Sequence, residues 1–251
     1  SEHKSATEFL AVESARVSVA VMPLLSKQVV VDTIELGGAR ATLIRRKDGT
    51  LNIADLLAPD KEPSPLVKFD IAGVKVANSQ LTFRDEQGGA TYAVSALNLD
   101  TGHLANAAEG PLELSAKVTA DKPKTAADVK ISGRYRYDLD KKDYALAKLD
   151  ATVKGELPGA KGLDLKLAAA SLGLQPDSKA VTADSLTLAA KGEVAGVQGL
   201  DLTLSATRLA LQPATSSVAI DKLALAAKGR LGADAFDKKG GDTFDVRLEA
   251  P

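Results

Sequence analysis

The residues that could do acid–base or metal chemistry are spread thinly along this chain of 251 residues. His3 and His103 lie a hundred positions apart among small or polar neighbours, and there is no cysteine. A zinc site needs several such ligands at short spacing, so both histidines read as surface or loop residues. Carboxylates are plentiful, but Asp164 and Asp201 sit between leucines in Leu-Asp-Leu runs. Such alternation describes the solvated face of a strand better than an acid–base pair. Gly37-Gly38 and Gly88-Gly89 open no helix and so make no phosphate cradle. Lys47-Asp48-Gly49 with Asn52 and Asp55 has a trace of a calcium loop, without its alternating acids or terminal glutamate. Arg134-Tyr135-Arg136-Tyr137 could stack bases on one strand face. A net charge of -1, from 32 basic and 33 acidic side chains well mixed, does not supply the field that nucleic acid requires. The residues therefore predict a protein that is not an enzyme, with no cofactor, no metal and no nucleic-acid partner.

What the sequence does contain is a repeat. Lys154-Gly155 recurs as Lys191-Gly192 and Lys228-Gly229, and Gly162-Leu163-Asp164-Leu165 as Gly199-Leu200-Asp201-Leu202, each time 37 residues on. Leu174-Gln175-Pro176 and Leu211-Gln212-Pro213 keep the same offset. A gapless repeat of this length implies a fold that grows by adding units along one axis. Alanine and leucine favour helix, but Leu163, Leu165, Leu167 and Ala169 alternate with Asp164, Lys166 and Ala168, and a period of two belongs to strands. With Pro176 to Lys179 as the turn, an antiparallel partner sets Leu167 opposite Leu188, Leu165 opposite Ala190 and Leu174 opposite Val181. Each unit is thus a two-stranded hairpin. The alternation slips once per strand, near Ala170 and Ser185 and again near Thr207 and Lys222, at matching heights of the hairpin. Matched bulges there would bend each strand and curl the sheet; a face that changes sides is the rival account.

Around the repeat the chain reads as further strands. Phe9 to Val21 is broken by Pro23, and 28–36 with 39–46 forms a hairpin about Gly37-Gly38. Asn52 caps one short helical turn over 53–57, and 59–65 is a proline-rich loop. Strands follow at 67–77, 80–85, 90–101, 110–120, 127–139 and 144–155, with a last one at 244–249. The fold expected is mostly β: a long, curved, largely antiparallel sheet, groove-like or taco-like, made of hairpin repeats with one or two short helices. Three regions, 1–62, 63–153 and 154–251, join into one continuous elongated domain. Roughly fourteen strands at about 4.8 Å each would extend about 65 Å, and a sheet that wide must twist, curl or split.

One segment carries a family likeness. Pro23-Leu24-Leu25, Ile34 with Leu36, Arg45-Arg46, Asp48-Gly49, Asn52 and Asp55-Leu56-Leu57 follow in order. Phe69-Asp70-Ile71, Asn78 to Asp85 and Leu97 to Gly102 come after them. This succession resembles the N-terminal periplasmic region of the AsmA family over about residues 8–105. The resemblance implies a periplasmic protein of the Gram-negative envelope, held to the inner membrane by an N-terminal helix that lies outside these residues. It implies a part in outer-membrane assembly as a bridge-like lipid-transfer protein, and hence a fragment of a longer chain. The motifs are structural, so no catalytic residue comes with them.

Beside that likeness stands an argument from residues. Leu163, Leu165, Leu167, Leu186, Leu188, Leu200, Leu202, Leu204, Leu223 and Leu225 would line one apolar surface, with 4% aromatic residues and no tryptophan to add polar handles. The function expected is therefore binding and transfer of phospholipid or another acyl-chain lipid in outer-membrane biogenesis. The alternative is a non-catalytic scaffold for outer-membrane protein assembly, with the same leucines as ordinary core.

Overall fold

The computed structural model describes residues 10–19, 31–53, 70–231 and 242–250. The strands are β1 (Leu10–Ala11), β2 (Ser14–Val19), β3 (Val31–Gly37), β4 (Arg40–Arg45), β5 (Asp70–Ile71) and β6 (Gly73–Asp85). There follow β7 (Ala90–Asp100), β8 (Leu104–Ala105), β9 (Glu109–Ala120), β10 (Thr125–Asp138), β11 (Asp143–Leu157) and β12 (Ala160–Gln175). The last are β13 (Ala180–Val194), β14 (Val197–Gln212), β15 (Ser217–Asp221), β16 (Leu223–Leu231) and β17 (Thr243–Ala250). Fifteen of them form one open, largely antiparallel sheet, and β5 pairs with β8 beside it. Helix among the described residues is one 3-10 turn, Pro213–Thr215. Alternation has overridden helix propensity throughout the Ala-Leu segments, because only a strand places every second leucine on one face.

From β6 to β14 the chain is an uninterrupted meander, apart from the short β8. The pairs Leu167–Leu188, Leu165–Ala190 and Leu174–Val181 occur in the register expected, and Lys179 N–H closes the Pro176 turn at 3.2 Å. The backbone carries the repeat further back than the side chains do. Left-handed residues fall at Lys142, Lys179 and Ser216 in the turns (φ 49°, 53° and 51°), and at Lys148 within β11, Ser185 within β13 and Lys222 between β15 and β16 (φ 51°, 50° and 49°). Each step is again 37 residues. A non-glycine residue in this conformation costs about 1–2 kcal/mol, so its recurrence at one height marks a place where the fold demands it.

Ser185 and Lys222 stand at two of the expected slips, and Lys148 adds an unforeseen one. Ser185 lies between the pairs Asp184–Arg208 and Leu186–Ala206 and has no partner of its own in β14. Opposite it, β12 takes three steps from Ala168 to Ser171 while β13 takes three from Asp184 to Thr187. The two irregularities match, so the ladder resumes without loss of register. A second, unforeseen bulge repeats at Gly162 and Gly199 (φ 56° and 58°), where β12 gains a residue on β13 and β14 gains one on β16.

The N-terminal region departs from expectation in one respect. Gly37-Gly38 does not turn a hairpin: β3 and β4 run in the same direction, and both pair in parallel with β6, at 73–77 and 80–85. Gly38 N–H donates to the Ala77 carbonyl (3.0 Å) and Ala39 N–H to Ser79 Oγ (3.1 Å), while Gln80 N–H returns to the Ala39 carbonyl (2.7 Å). With these groups taken by β6, the glycines make a kink along its edge. Of the strand expected at 67–77, residues 67–69 lie outside the described residues and Asp70–Ile71 form β5, while 73–77 run on with the strand expected at 80–85 as one strand, β6, carried through a left-handed Asn78 (φ 44°). Asn52 ties back to β4, accepting from Ile44 N–H (2.8 Å) and donating to the Thr42 carbonyl (2.9 Å). Of the short helical turn expected at 53–57 only Ile53 is described, and the rest lies outside the described residues.

Packing is that of a single layer. Among the described residues the only large apolar side chains below a tenth exposed are Leu149 (6%), Ile44 (8%) and Leu163 (8%); the other deeply buried apolar residues are alanines. A domain with a packed second layer buries many leucines and valines outright.

Local geometry makes two of these features measurable. A Cβ at Gly155 would stand 2.1 Å from the Ala126 carbonyl oxygen and 2.8 Å from the Ala127 Cα, whereas one at Gly162 meets nothing within 4 Å. Gly162→Ala should cost about 1–2 kcal/mol, the left-handed penalty alone, and Gly155→Ala clearly more, as read by urea melts. At the N-terminal end Arg45 grips Asp85 through Nε (2.9 Å) and through a second, short contact from its Nη2. Asp85 also accepts from Gln87 and Gly88 N–H at 3.0 Å. The Arg45 hydrogen bond, followed by the Gly88 amide, holds the Asp85 carboxyl down at about 2. A depressed carboxylate stabilises the fold above its unfolded pKa, and that stabilisation is lost as pH falls through the folded one. Asp85→Asn should therefore lower Tm at pH 6, and the gap from wild type should close between about pH 4 and pH 2.

Candidate functional site: an apolar lane across the sheet

Side chains directly opposite one another in neighbouring strands share a face, so the pairings trace which residues line up across the molecule. Starting at β2, Ala15 faces Leu36, Leu36 faces Val76, Val76 faces Leu99, and Leu99 faces Leu114. Leu114 then faces Ile131, Ile131 faces Ala151, and Ala151 faces Leu167. The row continues through Leu188, Leu204 and Leu225 to Leu248 of β17. Twelve strands contribute, every member is apolar, and eleven steps of about 4.8 Å make a lane roughly 50 Å long. A parallel row on the same face runs from Ala116 through Val129, Val153, Leu165, Ala190, Leu202 and Ala227 to Val246.

All ten leucines expected to line one surface do lie on one face. Leu167, Leu188, Leu204 and Leu225 belong to the long row, and Leu165 and Leu202 to its neighbour. Leu163 and Leu200 stand opposite Gly155 and Gly192, and Leu186 and Leu223 opposite Ala206 and Ala250. Leu163 is buried by its neighbours, and the other nine are half-buried. The members in β2 to β11 escaped sequence reading, because outside the repeat nothing in the sequence fixes which residues of successive strands face each other. Alternation within each strand was the available signal.

The opposite face is charged in an ordered way. Lys117, Asp128, Lys154, Asp164, Lys191, Asp201, Lys228 and Asp245 are successive cross-strand partners over eight strands, with strictly alternating sign. Lys117 meets Asp128 at 3.1 Å, Lys154 meets Asp164 at 3.0 Å, and Asp201 receives both Lys191 (3.3 Å) and Lys228 (3.6 Å). A depression of about 590 Å³ is lined by Lys75, Asp100, Glu113, Lys130 and Asp150 together with Val76, Leu99, Leu114 and Ile131 of the long row. Its mixed charges, with Lys75 and Asp100 already 3.7 Å apart, make a solvated surface with no net attraction for an anion.

Other candidate residues are occupied structurally. Asp48 accepts from the amide and hydroxyl of Thr50 (2.9 and 2.7 Å), hydrogen bonds that keep its carboxyl below the usual range. Arg134 pairs with Glu109, and Arg136 with Asp143 at 2.7 Å. Tyr135 stacks on Tyr137 and donates to the His103 carbonyl at 2.7 Å, and burial raises its phenol pKa. The two tyrosines thus stack on each other.

Comparison with protein families matches the family described as AsmA family, over residues 1–233. Comparison with curated proteins and with solved structures finds no match.

The charged row is a register device more than a source of stability, since exposed ion pairs contribute about 0–1 kcal/mol each. Asp201→Asn, which removes the partner of two lysines, should cost no more than about 1 kcal/mol in urea melts and less in molar salt. Leu204→Asp, on the other face, should cost more and show little salt dependence.

Proposed function

This chain belongs to the AsmA family, and we propose that its sheet carries lipid acyl chains along the apolar lane, in the periplasm, as part of phospholipid transport and outer-membrane biogenesis. Membership of the family fits a role in envelope lipid transport or outer-membrane assembly. The finer reading is carried by one observation: an unbroken apolar row over twelve strands whose leucines are only half-buried, and at Leu248 exposed. An apolar face meant as core would be covered. Among the described residues, the strands outside the large sheet are the two-residue β5 and β8.

The energetics suit a carrier. Each methylene kept from water is worth about 0.8 kcal/mol, so a sixteen-carbon chain represents roughly 12 kcal/mol. Leucine, valine and alanine methyls can offset much of that cost without choosing among head groups. A single chain fills about half of a hydrocarbon core about 30 Å thick, so a lane of roughly 50 Å exceeds it about threefold. Successive leucines at nearly equal spacing give positions of nearly equal energy, and a chain can pass from one to the next. The role is one of binding and passage, with no chemistry asked of any side chain. The partners proposed are phospholipid or another acyl-chain lipid, the inner membrane, and outer-membrane assembly proteins.

Two measurements test this. Protein purified from bacterial envelopes and extracted with organic solvent should release phospholipid detectable by mass spectrometry. A photo-crosslinking residue at Leu202, on the lane, should capture lipid several-fold more than one at Thr203, on the other face. Lipid-free protein, or equal labelling at the two positions, would sink the reading. Protein adducts at Leu202 in place of lipid would establish a scaffold.

A further inference from the structure

The apolar lane holds no ring, and three of the four tyrosines of this chain gather at one margin of the face that bears it. Tyr135 and Tyr137 follow Ile131 of the long row at alternate positions of β10, so they share its face. Tyr144 of β11 is the cross-strand partner of Tyr137, and the row continues through Leu174, Val181 and Leu211 beside the turns that end β10, β12 and β14. Tyr135 stacks on Tyr137 and gives its hydroxyl to the His103 carbonyl. The hydroxyls of Tyr137 and Tyr144 have no hydrogen-bond partner among the described residues, and Tyr144, Leu139 and Leu174 are exposed. In the turns alongside, Lys141 meets Asp138 at 3.6 Å and Lys142 meets Asp177 at 2.9 Å, whereas Lys179 pairs with no carboxylate among the described residues.

The opposite margin of the same face is built differently. Its turns at Pro158-Gly159 and Ala195-Gly196 leave Ala160, Val194 and Val197 at the rim, with neither ring nor hydroxyl. The fourth tyrosine, Tyr92, lies on that side, but it stacks on Phe83 and its hydroxyl donates to the Lys122 carbonyl at 3.3 Å.

We infer that the rim at Tyr137, Tyr144 and Lys179 seats the head group and glycerol of a glycerophospholipid, whose acyl chains then run along the strands toward the Leu167 row. The inference rests on the lane reading and gives the lane a polarity. A tyrosine suits such a boundary, because its ring lies against methylenes while its hydroxyl stays wet. The chemistry also matches: ester and phosphate oxygens accept hydrogen bonds and give none, and the two free hydroxyls and the lysine are donors. The distance fits as well. Tyr144 is seven residues from Ala151 along β11, and Leu174 seven from Leu167 along β12, about 23 Å in each strand. An acyl chain spans about 15 Å, half of a hydrocarbon core, so from this rim it lies wholly on Leu146, Leu172, Leu149 and Ala169 and ends near the long row. The lipid moves from strand to strand with its head group kept to one side.

The test uses the full 251-residue chain and two phosphatidylcholine probes offered in vesicles, one with a photoreactive diazirine on the head group and one with it at the end of an acyl chain. Labelled peptides are mapped by mass spectrometry. The head-group probe should label residues 135–146 and 174–181 several-fold more than residues 157–163 and 193–199, and the acyl probe should label the strands around Leu167 and Leu188. The double variant Tyr137→Phe with Tyr144→Phe keeps both rings and removes both hydroxyls. With folding confirmed by circular dichroism, it should lower head-group labelling at this rim by about fivefold or more, and adding Lys179→Gln should lower it further. Acyl labelling on the lane with head-group labelling equal at the two rims, or unchanged in the folded double variant, would overturn the inference and leave the lane reading standing. Head-group labelling at the tyrosine rim with none by the acyl probe on the lane would mean that the rim rests on a bilayer surface, and would overturn it too. No labelling by either probe would sink the lane reading and this inference with it.

Discussion

A sheet that shows no second layer among the described residues must find its cohesion within its own surface. In a layered domain the apolar face of a sheet is pressed against another element, and that burial dominates the stabilisation. Here the leucines, valines and alanines of one face are covered mainly by their cross-strand neighbours. Each such pair contributes about 0.2–1 kcal/mol, so no single contact matters much and the alignment of all of them matters greatly. A slip of one residue in any strand would send its whole apolar set to the charged side. Register is therefore the constraint on which the rest of the structure depends.

Several features that look unrelated in sequence serve that constraint. Left-handed Lys148 and Ser185 within strands, and Lys222 between β15 and β16, recur every 37 residues at the places where the ladder is irregular. Gly162 and Gly199 admit the extra residue of a bulge near the opposite turns. The alternating lysines and aspartates add a check along the polar face. Asp201 lies opposite Lys191, and a two-residue slip in one direction would set it against Glu193. The penalty per pair is small in water, but it repeats across eight strands with the same sign.

This division of labour explains what could be read from the sequence. The pairing of Leu167 with Leu188 was legible because the repeat fixed both the turn and the strand lengths. The irregularities at Ser185 and Lys222 were legible because an odd step in an alternating strand has few physical explanations. The extension of the lane through Leu36, Val76, Leu99, Leu114 and Ile131 was not, since register between unlike strands is a tertiary fact. Gly37-Gly38 has the composition of a hairpin turn, and only the acceptors offered by Ala77 and Ser79 make it a kink. The lysines and aspartates of the charged row were each visible as repeat landmarks or outer-face residues. Their adjacency was hidden, because partners in a hairpin stand far apart in sequence.

The pattern of burial sharpens what the lane is. On the apolar face the most enclosed residues include the alanines Ala206 at 3% and Ala169 at 4%, followed by Ala190 and Leu149 at 6%, while nearly all the other leucines around them are only half-buried. Short side chains thus form a floor, and longer ones lean over it to make the outer surface. A face of that build is finished with methyl groups and withholds its backbone amides from whatever lies on it. An acyl chain resting there would gain dispersion contacts and lose water, yet meet no donor or acceptor that could fix its position. Tight, selective binding needs such polar anchors. Their absence from the two apolar rows favours passage over capture, and it places any selectivity for head groups outside the lane.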